Sequence, residues 1–325
     1  MTTARTVPVT TEMDGDELDA EDAWHMVRHV GPGRLLLDSF VRFRYGDGFT
    51  NSRALALQAA LAVVPFLLAL TGLAADIDEE RASRVIAETV QAVSPGVGQQ
   101  DALAGAMSGD ASSEEAGELA LGFGLAFSLL SMTTAMAQVE RGLNRIYGIR
   151  RDRPALAKYG RAAVMTGILA APMGLGFLLL VAGGAFADAM VRGYGWSDGT
   201  TLAWNIGRWP LGLLVLVVAI AVMLDHSPRR RQPTLSWLAM GSGIAVVLTM
   251  VATASLAVYI YLGDSFGDIY GPLSGIFALL LWTLLCSIAL FYGAAVCAQL
   301  EACRAGHPDP AYEDPGRPHS TTVSE

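Results

Sequence analysis

The residues of this chain whose types could do chemistry are the polar side chains set within or at the ends of long apolar stretches. Gln58 lies in the first such stretch, Gln138 and Glu140 close the second, and Asn144 and Arg145 follow it. Arg208 enters the fourth, and Gln299 and Glu301 close the last. An ionisable or amide group in hydrocarbon is costly unless it has a partner or a purpose, so these eight are the candidates for a polar pathway or for lipid contacts. A plainer reading stands beside that one. Ser128, Ser131, Thr133 and Thr134 can bond their own helix, and Glu140 and Glu301 can pair with arginines near the membrane surface. Asn144 and Arg145 can cap carbonyls and bind lipid phosphate, or take part in gating. Arg208 either snorkels among Trp204, Trp209 and lipid phosphates or receives an anionic group inside a cavity.

Other chemistries find no residues. The five histidines are scattered at 25, 29, 226, 307 and 319. Only His25 and His29 share a helical face, with no third ligand, so no metal site is expected. Cys286, Cys297 and Cys303 are odd in number and lie in or beside one apolar stretch, which predicts packing and not disulfides. No P-loop, nucleophile elbow or dinucleotide fingerprint occurs, and no catalytic or cofactor-binding residue is assigned. The basic residues fall in short loops and not along one groove, so nucleic acid is not an expected partner.

The elements that must position these groups are membrane helices. With 52% hydrophobic residues, 16% charged ones and a mean hydropathy of +0.41, the chain is too apolar for an ordinary soluble domain of 325 residues. Glu140–Arg161 carries seven basic residues between two stretches long enough to cross ~30 Å of hydrocarbon at ~1.5 Å per residue. Such a loop belongs in the cytoplasm. Residues 76–118 hold ten acidic residues against Arg81 and Arg84, which puts them on the other side. The same rule, applied along the chain, predicts six spans near 52–75, 118–139, 160–187, 204–224, 235–262 and 271–300, with 18 of the 22 basic residues inside. Both termini are then cytoplasmic.

Around the spans, residues 1–32 read as a polar, disordered tail whose first 22 residues end in an acidic run, and 306–325 as a second disordered tail. Residues 33–305 form the membrane domain. Residues 33–45 place Leu36, Leu37, Phe40 and Val41 on one face, with Arg34, Asp38, Arg42 and Arg44 elsewhere, as in a helix lying on the inner leaflet. Asn51 or Ser52 is the expected cap of the first span, and Pro65 should kink it. A helix over RASRVIAETVQAV and a second near Gln99–Met107 are expected in the acidic segment. Gly167, Gly174, Gly176, Gly183 and Gly184 in the third span, and the GxxxG beginning at Gly271, suggest close helix contacts. The fold class is thus all-α, a polytopic six-span bundle with an interfacial helix before it and a short helical segment between spans 1 and 2.

Four stretches resemble the YihY/virulence factor BrkB family, formerly called ribonuclease BN-like: ALALQAALAVVPFLLAL, ERGLNRIYGIRRDR, GRWPLGLL and YGPLSGIFALLLWTLLCSIALFYGAAVCAQLE. The resemblance spans roughly residues 35–305. It implies a six-span inner-membrane protein of unsettled molecular function, often described as a transporter. The chain departs from that pattern after Gly293, where Ala295 and Cys297 stand in place of a usual Glu and Asn, and at Leu57 and Gln58, where aromatics are common. The nuclease name meets a physical objection, because neither clustered metal ligands nor a paired acid and base is visible. An enzyme is not expected. Two functions fit: a transporter or lipid-handling permease for an anionic or lipid-like substrate, with membrane lipids as partners, or a non-transporting scaffold or assembly factor acting through the acidic segment 76–118.

Overall fold

A computed structural model of the chain describes residues 5–12, 18–76, 80–93, 113–262 and 274–313. It is an all-α helix bundle. In chain order the helices are α1 (Ala20–Val30), α2 (Pro32–Tyr45), α3 (Gly48–Asp76), α4 (Glu80–Val93), α5 (Ser113–Ile146), α6 (Ala155–Phe177), α7 (Gly183–Tyr194), α8 (Asp198–His226), α9 (Leu235–Leu262) and α10 (Ser274–Arg304). A π-helical turn, Leu178–Ala182, joins α6 to α7. Two short strands, β1 (Arg5–Thr6) and β2 (Tyr312–Glu313), pair antiparallel. Among the described residues five helical segments are long and apolar enough to cross a membrane: Gly122–Ile146, Ala155–Tyr194, Asp198–His226, Leu235–Ile260 and Ser274–Arg304. The 29-residue α3 is the remaining long helix.

The long helices form a closed ring in chain order: α3 packs on α5, α5 on α6, α6 on α8, α8 on α9, α9 on α10, and α10 back on α3. Glycines set two of these contacts. A Cβ on Gly124 would lie 2.7 Å from the Pro65 carbonyl oxygen, so α5 meets the proline-bearing turn of α3 backbone to backbone. A Cβ on Gly241 would lie 2.3 Å from the Gly293 carbonyl, which brings α9 equally close to α10. Cys297 fits there too, its thiol donating to the Leu238 carbonyl at 3.7 Å.

Burial is uneven along the ring. In α10 every residue from Gly293 to Ala302 is buried, and none from Ser274 to Trp282 is. In α9 Trp237, Leu238, Gly241, Ser242, Ala245 and Val246 are buried, and beyond them only Leu256 among the described residues. In α8 the stretch before Ala219 buries Gly212 alone. The core therefore sits at the end of the bundle that carries the basic loops, and α8, α9 and α10 bury almost nothing over their far halves. The pairs α3–α5 and α6–α8 remain in contact, and α4 packs on α7.

Several expectations from sequence are corrected. Residues 1–32 are expected as a disordered tail, yet 20–30 form α1, because Asp19 accepts from the backbone N–H groups of Glu21 and Asp22 and the helix has acids in its first turn and bases in its last. Leu18 and Ala23 join the core. The helix expected as the first span, α3, begins at Gly48, before Asn51: Asp47 takes a φ of 57°, and Asn51 donates back to the Asp47 carbonyl. The third span does not run unbroken to 187. It carries the π turn and continues to Tyr194, where Gly195 at φ 66° ends it, and α8 starts at Asp198 behind the Ser197 cap. Gly167 and Gly174 face open space, so they are not packing glycines. The expected helix near Gln99–Met107 and the GxxxG from Gly271 lie outside the described residues, apart from Gly275.

Candidate functional site

Sequence periodicity puts Arg42 on the solvated side of the interfacial helix. It is instead fully buried. On α2 it shares a face with Leu35, Ser39 and Phe43, while Leu36, Leu37 and Phe40 point away from the bundle. Its guanidinium donates from Nε to the Ile146 carbonyl (3.1 Å), from Nη1 to Gln299 Oε1 (3.2 Å), and from Nη2 to the Pro8 carbonyl (3.0 Å) and Thr10 Oγ1 (2.6 Å). One cation thus ties the last carbonyl of α5 to α10 and to the N-terminal segment. Burial pulls its pKa down to about 10, which leaves it charged at neutral pH.

The C-terminal turn of α5 carries the rest. Leu143, Asn144, Ile146 and Tyr147 are all fully buried, so only Arg145 of this LNRIY run faces outward. Asn144 donates to Asp152 Oδ1 (3.1 Å) and accepts from the Arg229 backbone N–H (2.8 Å), which fixes the α5–α6 loop to the α8–α9 turn. Burial alone would raise the Asp152 carboxyl, but the Asn144 hydrogen bond and Lys158 hold it below its usual value. Glu140 pairs with Arg153 at 2.9 Å, while Arg153 donates to the Ser227 and Pro228 carbonyls. Gly148 follows at φ 78°, and a Cβ there would lie 2.5 Å from the Pro8 carbonyl oxygen. Only glycine satisfies both conditions.

Arg230 and Glu301 form the deepest pair, Nη2 to Oε2 at 2.7 Å, with side chains 3% and 0% exposed. The guanidinium carbon lies 4.6 Å above the Tyr147 ring, a cation–π contact, and Nη2 also reaches the Thr11 carbonyl. Burial, then Glu301 beside it, pushes the Tyr147 phenol well above its usual pKa, so it stays neutral. Gln299 donates to the Pro308 carbonyl at 2.6 Å, binding the C-terminal segment that β2 continues. Beside this assembly Met136, Glu140, Arg161, Ala162, Met165 and Ser227 line a narrow crevice with no room for a water molecule.

Of the eight residues singled out from sequence, Glu140, Asn144, Gln299 and Glu301 thus come together at the basic end. Gln138 is near them, donating to Asn51 Oδ1 at 2.8 Å. Arg145 lies at the same end, its side chain making no hydrogen bond or ion pair among the described residues. Gln58 stands apart on α3, its Oε1 buried without a partner. Arg208 is in the other half of the bundle. Its Nη1 reaches the Leu179 carbonyl at 3.5 Å, and Trp204, one turn before it, donates to the Gly183 carbonyl at 2.8 Å. Both acceptors belong to the π interruption or its edge. Sequence reasoning misses Arg42, Tyr147, Arg153, Arg230 and Thr10, because each sits in a segment whose neighbours look solvated.

Of the four stretches quoted above, ERGLNRIYGIRRDR builds the basic end and GRWPLGLL carries Arg208. The family model for virulence factor BrkB matches residues 39–317. The chain belongs to the BrkB family. The ribonuclease-like protein YfkH of Bacillus subtilis is 24% identical over 271 residues, 82% of this chain and 94% of that protein. A UPF0761 membrane protein of Rhodospirillum centenum is 29% identical over 187 residues, 57% of this chain and 39% of its own length. A UPF0761 membrane protein of Stenotrophomonas maltophilia is 24% identical over 307 residues, 90% and 66% of the two chains. No solved structure matches. This BrkB protein is a multi-pass membrane protein, and its Ala295 and Cys297 are both fully buried, Cys297 in the α9–α10 contact. Among the described residues no three His, Cys, Asp or Glu side chains gather where they could hold a metal ion.

Proposed function

We propose that this BrkB protein is a permease of the inner membrane, handling a lipid or lipid-like molecule, with its basic end in the cytoplasm and α3 as a sixth span. The observation that carries this reading is the contrast along the ring. The basic end is locked by buried ion pairs, and the far halves of α8, α9 and α10 bury almost nothing. A bundle sealed at one end and loosely packed at the other has the form of one side of an alternating-access cycle. The π turn in the third span supports it, since irregular backbone at membrane depth is tolerated where it lines a functional path.

The test is reconstitution into vesicles carrying a fluorescently labelled anionic phospholipid, with the rate at which label crosses between leaflets as the readout. Faster crossing than in empty vesicles is expected. Absence of any acceleration, with loss of cellular phenotype when the charges of residues 76–118 are reversed, would select a scaffold acting through that segment. The packing of α4 on α7, with Arg192 donating twice to Glu88 Oε2 at 2.9 and 2.7 Å, gives that second reading its surface.

A further inference from the structure

Arg208 lies four residues from the middle of the 29-residue α8, about 6 Å along the helix axis, so its charge belongs to the hydrocarbon region and not to the headgroups. A guanidinium there is costly unless it is neutralised or escapes outward. It does neither among the described residues. No carboxylate among them pairs with it. Its Nη1 reaches the Leu179 carbonyl, which lies four residues deeper along the third span than the Gly183 carbonyl taken by Trp204, so the side chain is not turned toward the far surface. The long 3.5 Å contact is its only side-chain hydrogen bond among the described residues, and Nε is buried with no partner.

The surroundings are shaped to hold the group in place. A Cβ on Gly183 would lie 2.7 Å from Arg208 Nη1 and 2.9 Å from Cδ, and one on Gly184 would lie 3.9 Å from both Nη atoms. The side chain thus rests in a notch that two glycines leave open, at the edge of the π turn. The Trp209 ring flanks the guanidinium at 5.2 Å. Above it Trp204, Trp196 and Phe186 form an aromatic cluster of edge-to-face and tilted contacts. A fork of largely unused donors, fixed in an apolar setting, is matched by a planar or tetrahedral group with two oxygens.

We infer that Arg208, seated in the Gly183–Gly184 notch, binds an oxyanion, a phosphate or carboxylate carried by the molecule this protein handles. The inference rests on the permease reading and adds the substrate class to it. In melting experiments on the purified protein in neutral detergent, dihexanoyl phosphatidic acid, inorganic phosphate and acetate are titrated separately. A rise in melting temperature with phosphatidic acid alone identifies a lipid source, with phosphate a free anion, and with acetate a carboxylate. Arg208→Gln should fold at least as well as the parent, since it removes an unpaired charge, and should need about tenfold more probe or show no rise. Arg208→Lys should fall between them, and Gly183→Ala should behave like Arg208→Gln by displacing the guanidinium. If Arg208→Gln and Gly183→Ala titrate like the parent, or if no probe moves the parent, the site is abandoned. Labelled lipid crossing membranes equally with parent and Arg208→Gln would remove this site and keep the permease. Probe binding without any crossing would do the reverse.

Discussion

Arg230 and Glu301, 71 residues apart, meet at 2.7 Å between the α8–α9 turn and the end of α10, with almost no solvent contact. Breaking such a pair from one side leaves a buried charge alone, which costs about 3–5 kcal/mol, whereas replacing both partners with apolar groups of similar volume is close to neutral. Glu301→Gln should therefore lower the melting temperature of the detergent-solubilised protein sharply, and Glu301→Leu combined with Arg230→Met should recover much of it. Equal losses in the single and double variants would show that packing, and not charge pairing, sets stability here.

Gly148→Ala should cost about 1–3 kcal/mol, since alanine resists a φ of 78° and its Cβ would strike the Pro8 carbonyl. The N-terminal segment should come loose with it. Limited proteolysis followed by mass spectrometry will show earlier cleavage before residue 20 in the variant than in the parent.

Two glycines offer a contrast. A Cβ on Gly174, in the third span, would meet nothing within 4 Å, so Gly174→Leu should melt like the parent, although sequence spacing alone marks it as a packing residue. Gly241→Ala, in α9, should be strongly destabilising, as the new methyl would meet the Gly293 carbonyl and Cys297 Sγ at 2.3 Å.

Asp152 is held below the usual carboxylate pKa despite partial burial, by Asn144 and Lys158. A depressed native value means that the unfolded chain takes up the proton first as pH falls. Its contribution to stability is present above the unfolded carboxylate value, near 3.8, and is lost as pH drops through the native one. Melting curves taken from neutral pH downward should fall more steeply for the parent than for Asp152→Asn below about pH 4.

The side assignment has its own test. With Cys286, Cys297 and Cys303 replaced, the thiol of Arg151→Cys, at an exposed position, should react with an impermeant maleimide only after the cells are opened. Labelling in intact cells would invert the bundle.

Membrane class and helix order were legible because hydrophobic length and arginine placement are additive along the chain, and each long segment reports itself. The helix α9 covers Leu235–Leu262, where the sequence places an apolar stretch at about 235–262, and Leu235–Ile260 of it is apolar enough to cross a membrane. Pairing across distance is not legible in the same way. Arg42 looks like any headgroup arginine until Gln299, Thr10 and the α5 terminus surround it, and Thr10 lies in a segment whose composition alone says tail. Glu140 and Glu301 do pair with arginines, as their types and places suggest, but Arg153 and Arg230 are hidden within basic runs that the membrane-sidedness rule already explains. The π turn has no sequence signature apart from the glycines that follow it.

The Arg42–Gln299 hydrogen bond also times the birth of the protein. Its two residues are 257 positions apart, so at about 5–20 residues per second the guanidinium emerges roughly 13–50 s before its partner is made. Helices can enter the bilayer one after another in that interval, but α10 is tied to the basic end only when Gln299 and Glu301 have been made. A ribosome that stops before residue 299 releases a chain whose final span is cut short and whose Arg42 keeps its Ile146, Pro8 and Thr10 acceptors but has no bond to α10.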